Sequence, residues 1–323
     1  MLSELKEVMW QEAIKLTLAG LMVALDVVGI PNANDRVLSL ANQFGLEDAY
    51  QAESVRESET ADIAVKLPSA VPYALDELSY PVVEATSAMV MDVETGATLF
   101  AQNIDDKRAM ASTTKLMTAL VVLDECLLSE VVTVQATDVA IEPNIMGLAI
   151  GEQVLVEDLL WGLLINSGND AALTLARHAG GSVDQFVEMM NEKAEALGLT
   201  GTHYANPHGL DAPGHHSTAR DLAILAREAL QDDLIAKIVS YKSATVYSTD
   251  GSRSYYLKNT NKLLDSYLPI KGLKTGFTDE AGQSVIELAD NGHKIIAIVL
   301  NSPDRFQESK ILIDWAYDNY YWE

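Results

Sequence analysis

The sequence predicts an α+β fold, in which early and late strands share one antiparallel sheet around an inserted helical region. Three observations carry this. Residues 85–92 and 97–100 flank Glu94-Thr95-Gly96 and read as a β-hairpin on a glycine turn. Residues 112–230 carry helical patterning, interrupted at Ser167-Gly168, Gly180-Gly181 and Gly198. Strand-like segments return at 244–247, 255–257, 284–288 and 294–300, before a closing helix over 305–317. Strands at both ends with helices between them favour segregated layers over alternating βαβ units.

The individual elements follow from local chemistry. Residues 112–123 form a helix with Ser112 near its start, and 130–134 a short strand. An apolar helix over 156–165 breaks at Ser167-Gly168, and a second runs over 169–179 to Gly180-Gly181. A third covers 183–197 up to Gly198. Ser217-Thr218-Ala219-Arg220-Asp221 opens a fourth that reaches Leu230. No internal repeat is present.

Residues 1–80 read as a leader and 81–323 as one catalytic domain. The apolar run 16–25 is too short for a comfortable membrane span, which takes ~20 apolar residues. It has the length of a signal h-region, but Glu4, Glu7 and Glu12 precede it instead of a basic segment. A signal or anchor segment and an ordinary amphipathic helix both remain open. Residues 35–46 could form a short helix, and the Ser/Glu-rich stretch 52–62 a linker.

With 22 Lys+Arg against 47 Asp+Glu, the formal net charge is -25. That argues against nucleic acid and against docking on anionic lipid through a basic patch. An anionic substrate would need a local cationic pocket. Cys126 is the single cysteine and cannot form an intramolecular disulfide; its apolar neighbours predict a buried, inert core thiol.

Three short motifs carry chemistry. Ser112-Thr113-Thr114-Lys115 has the form S-x-x-K, which on a helix brings the lysine amine to the serine hydroxyl. A lysine serves as base if burial or a nearby cation lowers its pKa. Alone the pattern is cheap, because Ser3-Glu4-Leu5-Lys6 matches it too. Ser167-Gly168-Asn169 can be a helix stop followed by an Asn N-cap. It can also put a proton-relaying hydroxyl and a carbonyl-holding amide into a cleft. Lys274-Thr275-Gly276 can be a polar edge strand. As a cleft wall, Lys274 supplies charge, Thr275 hydrogen-bonds a carboxylate and Gly276 permits close approach.

The conjunction is what discriminates. S-x-x-K, S-D-N and K-T-G together are the set of class A β-lactamases and penicillin-binding proteins, and here S-x-x-K, S-G-N and K-T-G occur in that order. The segment Ala111-Ser112-Thr113-Thr114-Lys115-Leu116-Met117 resembles the active-site segment of the low-molecular-mass D-alanyl-D-alanine carboxypeptidases. Ser-Gly-Asn in place of Ser-Asp-Asn, Asn206-Pro207-His208-Gly209-Leu210, Ser217-Thr218-Ala219-Arg220-Asp221 and Gly272-Leu273-Lys274-Thr275-Gly276-Phe277 are similar as well. The resemblance spans roughly residues 81–317. It implies a serine β-lactamase/transpeptidase-like fold and an extracytoplasmic enzyme of cell-wall biogenesis that acts on peptidoglycan stem peptides. It also implies β-lactam antibiotics as acylating inhibitors.

The roles it implies are Ser112 as nucleophile, Lys115 as its base and Ser167 as proton donor to the leaving amine. Asn169 would hold a substrate carbonyl. Lys274 and Thr275 would hold the terminal carboxylate, with Lys294 where some relatives place an arginine. The N–H groups of Ser112 and Phe277 would form the oxyanion hole. No metal or cofactor is required: His203, His208, His215 and His216 are not spaced as a zinc set and read as structural. The chain ends soon after the closing helix, so the β-rich second domain and C-terminal anchor helix of many relatives are not expected. A β-lactamase would need a glutamate to activate the deacylating water, and Glu195-Ala196-Leu197-Gly198 lacks the usual E-x-x-L-N pattern. A D,D-endopeptidase would use the same residues. A non-catalytic wall-binding protein would have no chemical reason to keep them all.

Overall fold

The computed structural model describes residues 71–75 and 78–322. The chain divides into two units, Met1–Leu67 and Pro68–Glu323, and the described residues belong to the second. The readings made for 16–25, 35–46 and 52–62 lie outside the described residues.

In chain order the elements begin with β1 (Tyr73–Ala74), β2 (Ser87–Asp92) and β3 (Thr98–Gln102). A 3-10 turn at Ala111–Thr114 leads into α1 (Lys115–Glu125), then β4 (Val131–Thr133) and β5 (Gln153–Leu155). The helical block continues through α2 (Val156–Leu164), α3 (Asn169–Gly180), α4 (Val183–Ala196), α5 (Ala219–Ala229) and α6 (Asp233–Ser240). Then come β6 (Ser243–Tyr247), β7 (Ser254–Lys258), β8 (Ile270–Thr278), β9 (Gly282–Asp290) and β10 (Lys294–Ser302). The chain closes with α7 (Arg305–Asn319) and β11 (Tyr320–Tyr321).

The run Ile295-Ile296-Ala297-Ile298-Val299-Leu300 is buried throughout, because both faces of its strand are covered. Ile296, Ile298 and Leu300 join Met89, Met91, Ile286 and Leu288 against the helical block. Ile295, Ala297 and Val299 join Val90, Val285 and Ala289 against Leu312, Ile313 and Ala316 of α7. The alternation is the period-two signature of a strand between two apolar layers. The sheet runs β3-β2-β10-β9-β8, antiparallel at every step. Thus early β2 lies beside late β10, as the sequence predicts, and β8 is an edge strand.

Some details differ from the sequence reading. The segments at 244–247 and 255–257 stay out of the main sheet and pair with each other as β6 and β7. The helix α6 was not foreseen; the Asp232 carboxylate accepts from Leu234 N and Ile235 N, both at 2.9 Å, and caps its start. Among the described residues, no helix is long and apolar enough to cross a membrane.

Candidate active site

The 3-10 turn that presents Ser112 is bound into the molecule on all sides. Ala111, the first residue of the turn, has φ +48°, a left-handed value uncommon outside glycine. Thr113 Oγ1 donates to Met110 O at 2.6 Å and Thr114 Oγ1 to Ala111 O at 2.8 Å. His215 lies behind Thr114, with Nε2 at 2.8 Å from its hydroxyl, while His215 Nδ1 accepts from Ala205 N at 3.0 Å. An accepting Nδ1 leaves Nε2 as the protonated nitrogen of the neutral ring. Burial, with His203 and His216 nearby, pushes His215 down to about 4. This supports the structural role expected of it.

Two glycines let other elements reach this turn. A Cβ on Gly209 would lie 2.0 Å from Ala111 O, and its φ is +93°. A Cβ on Gly276 would meet the Ala111 Cβ at 2.9 Å and Ser112 N at 3.1 Å. The sequence predicts close approach at Gly276. Its first consequence is that the edge strand β8 lies directly against the Ser112 turn.

Lys115 is fully buried, whereas Ser112 is partly open. The Lys115 Nζ lies 2.9 Å from Ser112 Oγ, 2.7 Å from Asn169 Oδ1 and 2.5 Å from His208 O. Burial, and then the Lys274 charge, hold its amine well below the usual lysine range. Two of its neighbours are carbonyl oxygens, which only accept. A neutral amine that gives them its two hydrogens turns its lone pair toward the Ser112 hydroxyl.

The Ser167-Gly168-Asn169 break separates α2 from α3, and both Ser167 and Asn169 are buried there. Gly168, not Asn169, occupies the N-cap of α3. Asn169 is the first helical residue, its amide spanning from Lys115 to Pro143 O, which accepts from Nδ2 at 2.5 Å. Ser167 is held at φ +63°, a second strained non-glycine residue. Its hydroxyl is 2.9 Å from Lys274 Nζ, which also donates to Thr275 O at 3.0 Å. Burial and the Arg305 charge push Lys274 down to about 7. The Thr275 hydroxyl lies 2.6 Å from that of Thr260. The structure thus brings together Ser112, Lys115, Ser167, Asn169, Lys274, Thr275 and Gly276. Phe277 follows on β8 and is exposed.

Lys294 is not part of the cluster. It is exposed at the first residue of β10, opposite Asp290. Lys274 aligns with Ile286, and Ile286 with Ile298, so Lys294 sits four residues, about 13 Å, down the strand from that row. Its place near K-T-G is taken by Arg305, which donates from Nη1 to Gly276 O at 2.6 Å. Sequence reasoning missed Arg305 because it opens α7 rather than lying on the strand. Asp170 was missed too; its buried carboxylate accepts from the N–H groups of Met146, Gly147 and Leu148 and ties that loop to α3. Burial raises the Cys126 thiol to about 11; the residue is half-buried at the end of α1 and packs against the core. Glu195 is exposed in the last turn of α4.

An antiparallel sheet between α7 and a helical block, with S-x-x-K, S-G-N and K-T-G meeting at its edge strand, defines the DD-transpeptidase and carboxypeptidase class of fold. The profile of the D-alanyl-D-alanine carboxypeptidase family, Peptidase_S11, matches residues 76–304, and the chain belongs to that family. It is 34% identical over 247 residues to D-alanyl-D-alanine carboxypeptidase DacF of Bacillus subtilis, covering 73% of this chain and 63% of the relative. It is 38% identical over 257 residues to D-alanyl-D-alanine carboxypeptidase DacD of Escherichia coli, covering 74% and 65%. The chain therefore spans just under two thirds of these relatives. Among solved structures, the Streptomyces K15 DD-transpeptidase matches with TM-score 0.71 and 33% identity, covering 75% of this chain and all of that one. A D-alanyl-D-alanine carboxypeptidase from Mycobacterium tuberculosis matches with TM-score 0.71 and 33% identity, covering 76% and 95%.

Proposed function

We propose that the protein is a serine-type D-Ala-D-Ala carboxypeptidase that removes the terminal D-alanine from peptidoglycan stem peptides through an acyl-enzyme on Ser112. One observation carries the reading: the buried Lys115 Nζ lies 2.9 Å from Ser112 Oγ and is held there by two carbonyl oxygens, those of Asn169 and His208. Lys115 takes that proton as Ser112 Oγ bonds to the carbonyl carbon of the penultimate residue. The N–H groups of Ser112 and Phe277 hold the oxyanion; one such donor is typically worth ~3 kcal/mol. The C–N bond to the terminal D-alanine then breaks; Ser167, beside Lys274, hands its proton to the leaving amine, and the proton that Lys115 took replaces it, which leaves Lys115 neutral again. Water adds to the ester, which breaks to release the shortened peptide and restore the hydroxyl.

The free edge of β8 offers a backbone against which an extended peptide can lie. Lys274 and Arg305 give that edge the local positive charge that a terminal carboxylate needs in a protein of net charge -25, and Thr275 offers it a hydroxyl. Asn169 holds a substrate carbonyl, and β-lactams acylate Ser112 in place of the peptide. A substrate in the cell wall implies an extracytoplasmic location. The likeness to a protein named a DD-transpeptidase keeps a second acceptor in view, an amine in place of water, on the same acyl-enzyme.

The test is acylation by a labelled penicillin, mapped by mass spectrometry. A stable adduct on Ser112, absent in Ser112→Ala, is expected. Absence of any adduct would falsify the reading, and rapid turnover of the penicillin would make the protein a β-lactamase. Free D-alanine from a pentapeptide identifies the carboxypeptidase. Cleavage of cross-linked dimers identifies an endopeptidase, and a new amide formed with an added amine identifies a transpeptidase.

A further inference from the structure

We propose that Cys126, Glu130 and His178 form a divalent-metal site of the zinc type at the end of the helical block. The three residues come from separate elements. Cys126 caps α1, Glu130 directly precedes β4, and His178 lies in the last turn of α3. A thiol sulfur, a carboxylate oxygen and an imidazole nitrogen converge so that all lie within 4.8 Å of one another.

His178 Nε2 stands 2.8 Å from Glu130 Oε2. Around a tetrahedral zinc with bonds of ~2.0–2.3 Å, donor atoms stand about 3.3–3.7 Å apart. Side-chain movements of about an ångström therefore close the site, with no rebuilding of the backbone. One thiolate, one imidazole and one carboxylate make a borderline-soft donor set, which suits zinc and not magnesium or calcium. On binding, the thiol gives its proton to solvent and the ion takes the sulfur lone pair.

The surroundings fit an ion. Glu130 Oε1 accepts from Leu127 N at 2.8 Å, which orients the carboxylate from behind. The side chains of His178 and Glu130 are 26% and 37% exposed, so an ion can reach them and water can fill a fourth position. A His–Glu ion pair accounts for two of the three groups and leaves the converging thiol without a role. Glu130 and His178 are 48 residues apart, which is why no short zinc motif appears in the sequence.

The position gives the ion a structural consequence. The helices α1 and α3 begin at Lys115 and Asn169, whose side chains meet at 2.7 Å. Cys126 and His178 lie at the opposite ends of the same two helices. An ion there ties the far ends of the pair whose near ends hold the candidate base. The proposal does not depend on the activity proposed above.

The test uses the full chain, reduced and stripped with a chelator, titrated with Co²⁺ and then Zn²⁺. One equivalent of Co²⁺ is expected to give a thiolate-to-cobalt charge-transfer band with the d–d bands of a four-coordinate ion, and Zn²⁺ to abolish both. Saturating Zn²⁺ should raise the melting temperature by several degrees. Cys126→Ser should lose the charge-transfer band and His178→Ala should weaken binding at least tenfold. His203→Ala, in the stacked His203–His216 pair, should change neither. A parent protein without the charge-transfer band overturns the proposal and leaves an ion pair only. So does binding that survives both ligand substitutions, or that is lost in His203→Ala. The parent spectrum decides whether the thiol is a ligand even where a variant fails to fold.

Discussion

The proposed mechanism gives two buried lysines opposite duties. Lys115 must be neutral to take the Ser112 proton, and burial together with the Lys274 charge lowers it for that purpose. Lys274 must keep its proton to attract a carboxylate, and it stands at about 7 in the free protein. The rate of D-alanine release, as kcat/KM, should rise as Lys115 loses its proton and fall as Lys274 loses its own. Because the two charges act on each other, the two limbs belong to the pair. Lys274→Arg keeps its charge throughout the working range. Its basic limb should move to higher pH, while KM rises because the guanidinium does not fit the Ser167 contact as an ammonium does. A pH–rate profile checks this, and an unmoved basic limb removes Lys274 from the role of carboxylate partner.

Glu287 shows how one element carries a polar group through an apolar layer. It sits on β9, fully buried, and its Oε2 accepts from Asn261 Nδ2 at 2.7 Å. Its Oε1 has no hydrogen-bond partner among the described residues, and burial pushes the carboxyl up to about 8 from a reference of 4.5. A raised carboxyl binds its proton more tightly in the folded state than in the unfolded one. Its contribution to stability is therefore complete below the unfolded value and is lost as pH rises from 4.5 through about 8. Glu287→Gln keeps an amide oxygen for Asn261 and removes the ionisation. Its melting temperature should equal that of the parent near about pH 4 and exceed it by several degrees near about pH 9. Melting curves at the two pH values test this; equal differences at both would place the effect in packing instead.

At the scale of the molecule, the two ends of the described chain meet. The strand β1 pairs with β11, and Leu75 N donates to Asn319 O at 3.0 Å. Trp315 Nε1 donates to Ser79 O at 2.7 Å, and the Tyr80 ring lies 5.6 Å from that of Trp315. Residues 71–75 and 78–80, grouped with the leader on sequence grounds, thus lie against α7 and its tail. We propose that they are part of the folded body. A chain beginning at Pro68 should melt with the main transition of the full chain and keep its penicillin adduct. One beginning at Pro81 should melt several degrees lower, because the apolar surface around Trp315 and Tyr320 is uncovered. Identical melting of the two truncations would argue that the docking adds nothing.

Much of this protein is written locally. Strand and helix periodicity, glycine stops and Asp or Thr caps depend on neighbours a few residues away, so the α+β class and most elements are legible in the sequence. Among the site residues, Ser112, Lys115, Ser167, Asn169 and the Lys274-Thr275-Gly276 run could be nominated because their motifs are short and ordered. Only the tertiary structure decided the rest. Lys294 looked suitable by its place on a strand, but strand register sets it about 13 Å down the sheet, and Arg305 reaches Gly276 O from a helix start instead. Asn169 could have been a cap, and His208 gave no local sign that its carbonyl would hold Lys115. Cys126, Glu130 and His178 converge through the packing of α1, β4 and α3. Propensity and capping act over a few residues of chain, whereas the approach of side chains far apart in sequence is set by how apolar faces pack, which no local pattern records.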